Sequence, residues 1–354
     1  MGVEPTPSAS LDLLRGRLDE RLAPLGLRVD AVAPLGGGAC QDLFRVDVSA
    51  RSAAIPAPDW PRRLVLRSDA PRPLPGSIAR RVEREVVAVA AAAGVRTPAP
   101  RLAVDGVVHP HAGAWLMELV EGEALGRRVV AHPSLAEARR TLVGDVAREL
   151  AKLHTVVPAA HSALVALLGP PPTDPLAAAV EGLRRMAEVT GSRRPATELA
   201  LAWLAERAEQ LGPAASAGGE VVLCHGDLRV GNLLVGPDGL AAILDWEFAR
   251  WSAPAEDLAW FCVRDWRFGS VKLAAGGVGT RAHLREAYHA ASGRTIGADE
   301  LRAWEVLGNV RWALGCLEQG RRYTSGERTD LELLAAARRA PEVEHEALRL
   351  IDEG

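Results

Sequence analysis

Cysteine at paired spacing is missing from this chain: Cys40, Cys224, Cys262 and Cys316 lie far apart and form no C-x-x-C pair. That pattern argues against disulfides and fits unpaired thiols in a reducing compartment. An excess of positive charge is missing too. The net charge is −3 with 25% charged residues, so there is no basic field of the kind that binds nucleic acid through its phosphates. No cationic segment followed by an apolar stretch opens the chain, and no apolar run approaches the ~20 residues needed to span a bilayer. The expectation is a soluble, cytoplasmic protein with neither a membrane nor a nucleic acid as partner. No repeat of solenoid period is evident. What is there is a chain of 354 residues with 48% apolar content, long enough to bury a substantial core and to form two lobes. Residues 1–9, rich in proline and serine, are expected to be loose.

The most informative segment is His225-Gly226-Asp227-Leu228-Arg229-Val230-Gly231-Asn232, followed twelve positions later by Leu244-Asp245-Trp246-Glu247. The spacing His-x-Asp-x-x-x-x-Asn is that of a kinase catalytic loop, where the Asp orients an acceptor hydroxyl and takes its proton and the Asn ligates Mg²⁺. Those residues are Asp227 and Asn232. Asp245, after the apolar run Leu240 to Leu244, supplies the second metal ligand. The turn signal Gly236-Pro237-Asp238-Gly239 between two apolar runs predicts a hairpin that brings Asn232 and Asp245 together. A His-Gly-Asp tripeptide by itself is equally a turn entering a hairpin. Three acidic or amide groups at coupled spacing in a strand context favour an Mg-nucleotide site. His225 is expected to brace the loop by hydrogen bonds, since no second His or Cys lies at ligand spacing.

Upstream, Leu11 to Leu25 has helical spacing, and Leu35-Gly36-Gly37-Gly38 feeds a strand that runs to Val48. Such glycines let backbone amides approach a phosphate closely, although a Gly-Gly-Gly turn is also a common hairpin tip. Arg63 to Arg67 reads as a second short strand and Val82 to Ala93 as an Ala/Val-rich helix that carries Glu85. That order matches a kinase small lobe, in which a basic strand residue holds the α- and β-phosphates and pairs with a helix Glu. Arg67 would take the place of the usual Lys, with Glu85 as its partner. Arg67 stays charged and offers a planar fork to carboxylate and phosphate; the alternative is an exposed strand end. Trp115 to Gly122 reads as a strand that leaves this lobe, with Met117, Glu118 and Val120 at the candidate hinge, where backbone groups read adenine; Met117 could equally be core. Beyond residue 122 the pattern is helical almost throughout, as in Leu142 to His154 and Thr197 to Leu211, and Pro170 to Pro175 connects helices.

These residues bring the chain to a known family. It closely resembles the aminoglycoside phosphotransferase-like kinases, and among them the branch similar to the kinase domain associated with acyl-CoA dehydrogenases. The resemblance rests on Gly37 to Asp42, Leu64 to Arg67, Met117 to Gly122, His225 to Asn232, Ile243 to Glu247, Pro254 to Trp260 and Arg311-Trp312, and runs from about residue 28 onward. It implies an α+β, two-lobed protein-kinase-like fold: residues 1–27 as a leading helical segment, 28–120 as a small antiparallel-sheet lobe that binds nucleotide, and 121–354 as a larger, mostly helical lobe for catalysis and the acceptor. It further implies ATP with Mg²⁺ and transfer of the γ-phosphoryl to a small-molecule hydroxyl. Arg67 in the Lys position is common in that branch. Arg229 stands where protein kinases carry a Lys on the γ-phosphate, which makes it the candidate transition-state cation. Asp257 looks like the helix-start residue that bonds the catalytic-loop backbone. Cys40 stands where related chains often have Ser.

A pocket for polycationic aminoglycosides needs clustered carboxylates. This chain instead has Arg264-Asp265-Trp266-Arg267 and, further on, Arg302, Arg311, Arg321 and Arg322. The helix from Leu301 to Leu317 is apolar on nearly every side and should be buried; Arg311 within it is either paired, with Glu318 as a candidate, or directed at an anionic group. The basic residues favour an anionic hydroxy acid or hydroxyacyl thioester. The alternatives are an antibiotic or choline-type kinase and a nucleotide-binding protein without turnover, the last disfavoured because Asp227, Asn232 and Asp245 are intact. A protein substrate is not expected, since no Ala-Pro-Glu segment follows Asp245.

Overall fold

Period-two and period-3.6 patterning divide this chain sharply. The computed structural model describes residues 7–35, 42–51, 59–69, 74–191, 194–212, 221–327 and 330–353. Two compact units emerge: Met1–Ala92 with Arg96–Glu121 and Ala242–Ala249, and Ala93–Val95 with Gly122–Ala241 and Arg250–Gly354.

The first unit opens with helix α1 (Pro7–Leu22), which begins inside the stretch expected to be loose. Leu14, Leu18 and Leu22 recur every four residues and form one buried stripe. They pack on the strands β1 (Leu27–Pro34), β2 (Asp42–Ala50) and β3 (Arg63–Ser68), and Asp19 of α1 accepts the backbone N–H of Val29 at 2.9 Å. The leading segment is thus part of the small unit. After α2 (Arg80–Ala92) come β4 (Pro100–Ala103) and β5 (Ala114–Glu118), which complete a five-stranded antiparallel sheet in the order β1-β2-β3-β5-β4. Alternation decides what each face does. Val46, Val48, Leu64, Leu66 and Leu116 join α1 in the core, so Val65 and Arg67 lie on the other face.

The second unit contains α3 (Gly126–Ala131), α4 (Ala136–Leu153), α5 (Ser162–Leu168), α6 (Pro175–Thr190) and α7 (Pro195–Leu211). A short strand β6 (Val222–Cys224) leads into the catalytic-loop segment, and the strands β7 (Leu233–Gly236) and β8 (Gly239–Ile243) form the expected two-stranded hairpin. The hairpin is anchored by Asp145 of α4, which accepts the Leu240 N–H at 3.2 Å. Gly239 has φ +120°, a backbone conformation that L side chains rarely adopt, and a Cβ there would lie 2.5 Å from Asp145 Oδ2. β9 (Arg250–Ser252) pairs with β6. Then follow α8 (Pro254–Cys262), α9 (Arg281–Ser292), α10 (Ala298–Thr324), α11 (Leu331–Ala337) and α12 (Ala340–Asp352). α10 packs against α6, α7, α8, α11 and α12, as its all-round apolar surface requires. No helix among the described residues is long and apolar enough to cross a membrane.

One buried histidine at the end of α4 ties that helix to α8 and α9 by two polar contacts. His154, 1% exposed, has Nε2 3.3 Å from Asp257 of α8 and Nδ1 2.8 Å from the Tyr288 hydroxyl of α9. A neutral imidazole satisfies both, with Nε2–H donating to the carboxylate and Nδ1 accepting from the phenol. Burial, the largest influence, lowers the His154 pKa below its usual 6.5 against the opposing pull of Asp257. The native state therefore takes up a proton less readily than the unfolded chain. Stability should be full above the unfolded pKa and fall as the pH drops below it, by up to about 1.4 kcal/mol per pH unit. Urea unfolding at about pH 7.5 and about pH 5.5 should show this loss in the wild type and a smaller one in His154→Gln; equal losses would contradict it.

Candidate active site

The segment after β6 turns sharply at Gly226, whose φ of 76° favours glycine. Beneath it lies Asp257, fully buried. Its Oδ2 accepts the His225 backbone N–H at 2.8 Å and its Oδ1 that of Gly226 at 2.9 Å, the backbone contact expected of it. Burial pushes this carboxyl up, but the hydrogen bonds from His154 and the backbone outweigh it and hold the pKa below the usual value. His225 braces the loop, since its Nδ1 accepts the Asp227 N–H at 3.2 Å. The Asp227 carboxylate accepts Asn232 Nδ2 at 2.8 Å and Arg229 Nε at 3.3 Å on Oδ2, and the indole N–H of Trp260 at 2.8 Å on Oδ1. Asn232 also donates to the Asp227 carbonyl at 2.8 Å, which orients its amide. The Arg229 guanidinium lies 5.1 Å from the centre of the Trp266 ring.

In the first unit, five charged side chains alternate in sign. Asp245 Oδ1 accepts Arg67 Nη2 at 2.6 Å, and Arg67 grips Glu83 through two bonds of 2.8 Å. Arg80 donates to Glu83 at 2.6 Å and to Glu247 at 2.5 Å. Two guanidiniums and three carboxylates leave one negative charge in excess. Burial opposes the charge on Arg67, but Glu83 and then Asp245 outweigh it and raise its pKa. Desolvation, then the neighbouring Asp245, raises that of Glu247. Asp245 adopts a left-handed backbone, φ 67°, which short polar residues tolerate.

The partner of Arg67 is Glu83, not Glu85. On α2, Glu83 shares the buried face of Val86, Val87 and Ala90, whereas Glu85 lies two residues round the helix, is 44% exposed and pairs with Arg84. The apolar periodicity of α2 carries the signal that distinguishes them. Gly36, Gly37 and Gly38 lie outside the described residues. Met117 is half-buried on the last turn of β5 pairing, opposite Val65. The Glu118 side chain is engaged by Arg101 at 3.0 Å and by the Ala99 N–H at 3.3 Å, and its own backbone N–H donates to the Ala99 carbonyl at 3.3 Å.

The basic residues read as an anionic pocket are paired. Arg267, 2% exposed, contacts Glu305 at 2.9 Å and Glu346 at 3.0 Å, and Arg264 lies 3.6 Å from Glu346. Arg302 pairs with Asp299, Arg321 with Glu318, and Arg322 with Glu327. Arg311 is paired structurally, with Glu256 at 3.7 Å in place of the candidate Glu318, and it also donates to the Gly226 carbonyl at 2.9 Å and stacks over Trp260. These carboxylates come from distant sequence positions or neighbouring helical turns, and they remove the charge argument for an anionic acceptor. The described cysteines are free and buried; burial raises their thiols, Cys316 to about 12, so they are poor nucleophiles. His154, Cys224 and Asp257 bring ligand atoms within 4.8 Å of one another, but all three are hydrogen-bonded, Cys224 to the Ala253 carbonyl.

Comparison with known proteins agrees with this architecture. A crystal structure of a provisionally assigned aminoglycoside phosphotransferase from Ralstonia eutropha JMP134 superposes with a TM-score of 0.70 at 22% identity, over 96% of this chain and 98% of that one. A spectinomycin phosphotransferase in complex with ADP and spectinomycin matches at 0.59 and 13%, over 94% and 98%. An ethanolamine kinase from Plasmodium vivax matches at 0.57 and 15%, over 90% and 82%. No curated protein sequence matches significantly. These likenesses show the kinase-like fold, a small antiparallel-sheet unit with a larger helical one. The family model described as "Phosphotransferase enzyme family" matches residues 32–304, and the chain, with its Asp227 loop and paired Arg67, belongs to that family.

Proposed function

We propose that the protein transfers the γ-phosphoryl group of ATP, in the presence of Mg²⁺, to a hydroxyl group of a small molecule. The observation that carries this reading is the Asp227 carboxylate, anchored by three N–H donors on a loop pinned by Asp257. A fixed carboxylate is the proton acceptor that such transfer needs. The acceptor O–H proton passes to Asp227 and the acceptor oxygen bonds to the γ-phosphorus. The bond from that phosphorus to the bridging oxygen breaks, and ADP leaves with its electron pair. Arg229 supplies positive charge for the transferring oxygens. Arg67 holds the α- and β-phosphates with Glu83 behind it, residues 36–38 offer backbone amides to phosphate, and the backbone at Met117, Glu118 and Val120 reads the base.

Asn232 and Asp245 are the residues assigned to the metal, and their donor set fits it. Amide and carboxylate oxygens are the hard ligands that Mg²⁺ takes. With both amide protons of Asn232 on Asp227, its carbonyl oxygen is left as the ligand atom; among the described residues that oxygen accepts no hydrogen bond. When bound, Mg²⁺ neutralises charge on the β- and γ-phosphates.

The acceptor is a small-molecule hydroxyl, and its class is open to a direct screen. Aminoglycosides, spectinomycin, choline, ethanolamine, hydroxy acids and hydroxyacyl thioesters should be compared for ADP release by the purified protein. At least one class should stimulate release and yield a phosphate ester; binding of Mg-ATP with no turnover on any would overturn the reading in favour of a nucleotide-binding protein.

Asp227→Ala should abolish transfer and leave Mg-ATP affinity nearly intact, since the base acts on the acceptor; turnover at the wild-type rate would contradict the assignment. Glu83→Gln should destabilise the protein by about 3 kcal/mol, because it leaves Arg67 and Arg80 without their shared buried anion. It should also lower kcat, whereas Glu85→Ala should leave both near wild type; the reverse pattern in kinetics and urea unfolding would restore Glu85 as the partner. Arg67→Lys should recover only part of the activity lost in Arg67→Ala, because an ammonium lacks the two-point grip on Glu83.

A further inference from the structure

Asp227 holds its two carboxylate oxygens in unequal surroundings. Each oxygen has about two lone pairs. Oδ2 meets two donors, Asn232 Nδ2 at 2.8 Å and Arg229 Nε at 3.3 Å, while Oδ1 meets one, the Trp260 indole N–H at 2.8 Å. Resting on the reading of Asp227 as the proton acceptor, we propose that Oδ1 is the atom that takes the hydroxyl proton and that Trp260 is the positioning residue that presents it. An indole N–H can only donate, so it fixes one side of Oδ1 without competing for the proton.

Trp260 is built to hold that position. It is 4% exposed, and its ring packs 5.6 Å from Trp266, which in turn lies 4.8 Å from Trp312. Trp312 donates to Asp265 at 2.5 Å, and Arg339 grips the same carboxylate at 2.6 and 2.8 Å. On the other side, the Arg311 guanidinium sits 4.4 Å from the Trp260 ring centre while its Nη1 donates to the Gly226 carbonyl at 2.9 Å. One cation therefore holds both the ring and the backbone immediately before Asp227. A cation over the ring face draws electron density from it and strengthens its N–H as a donor. Burial pushes Arg311 down to about 10, which still leaves it charged at neutral pH.

Packing alone does not demand the bond to Asp227. The indole nitrogens of Trp115, Trp251 and Trp266 are also buried and have no hydrogen-bond partner among the described residues. The fold tolerates unpaired indoles, so burial of the ring does not by itself account for the bond from Trp260 to Asp227.

Two variants test this. Trp260→Phe keeps an aromatic ring between Arg311 and Trp266 and removes the N–H; replacement of Trp260 by the benzothiophene analogue of tryptophan keeps the fused-ring shape and removes the N–H alone. The assay is ADP release from Mg-ATP with water as the acceptor, together with calorimetric Mg-ATP affinity and thermal unfolding. The expected result is a fall in kcat of about 10- to 100-fold, as for a mispositioned reacting group, with Mg-ATP affinity unchanged and the analogue unfolding at the wild-type temperature. Full kcat in the analogue, with Asp227→Ala inactive, overturns the role of Trp260 and leaves Asp227 as the base. A parallel fall in kcat, affinity and stability in the analogue also overturns it, in favour of packing. Full turnover in Asp227→Ala removes the base assignment itself and is recognised separately from either.

Discussion

A fully buried carboxylate sits under the catalytic loop, and the loop's shape depends on it. Left without donors, the charge on Asp257 would be far too costly to bury. Two backbone N–H groups, from His225 and Gly226, and the His154 imidazole satisfy it, and its place in the first turn of α8 adds the favourable end of the helix dipole. The same bonds fix the two peptides that precede Asp227. From there the order propagates outward: His225 takes the Asp227 N–H, Arg311 takes the Gly226 carbonyl, and Asn232 closes the turn on the Asp227 carbonyl. A buried acidic residue thereby sets the orientation of Asp227.

The first unit solves a related problem by alternation. Glu83 at 1% exposure and Arg80 at 3% are tolerable only because each charge has an opposite neighbour. Arg suits this arrangement better than Lys, because one planar fork meets Glu83 at two points and still reaches Asp245. The chain of charges ends at Asp245, whose side chain is 25% exposed.

Local signals in the sequence were legible, and long-range pairings were not. The β7–β8 hairpin follows from Gly236-Pro237-Asp238-Gly239, and α10 from an apolar pattern that continues on every face. The catalytic loop is a contiguous motif, so Asp227, Arg229 and Asn232 emerge together. Glu83 lies in phase with Val86, Val87 and Ala90 and Glu85 does not, so the periodicity of α2 distinguishes the two. The arginines misled for a different reason. Whether Arg267 faces a ligand or a carboxylate is decided by Glu305 and Glu346, residues of α10 and α12 that only tertiary packing brings to it. Trp260 stands in a recognised segment, yet its bond to Asp227 spans 33 positions and leaves no local trace.

The central physical claim is that the catalytic loop is preformed, held from beneath by Asp257 before any substrate arrives. Amide hydrogen exchange at His225 and Gly226 in the nucleotide-free protein tests it most directly. Both amides are expected to exchange as slowly as those of the α10 core, and Asp257→Asn is expected to speed them while α10 stays protected. Fast exchange at both amides in the wild type, slowed only on addition of Mg-ATP, would contradict it.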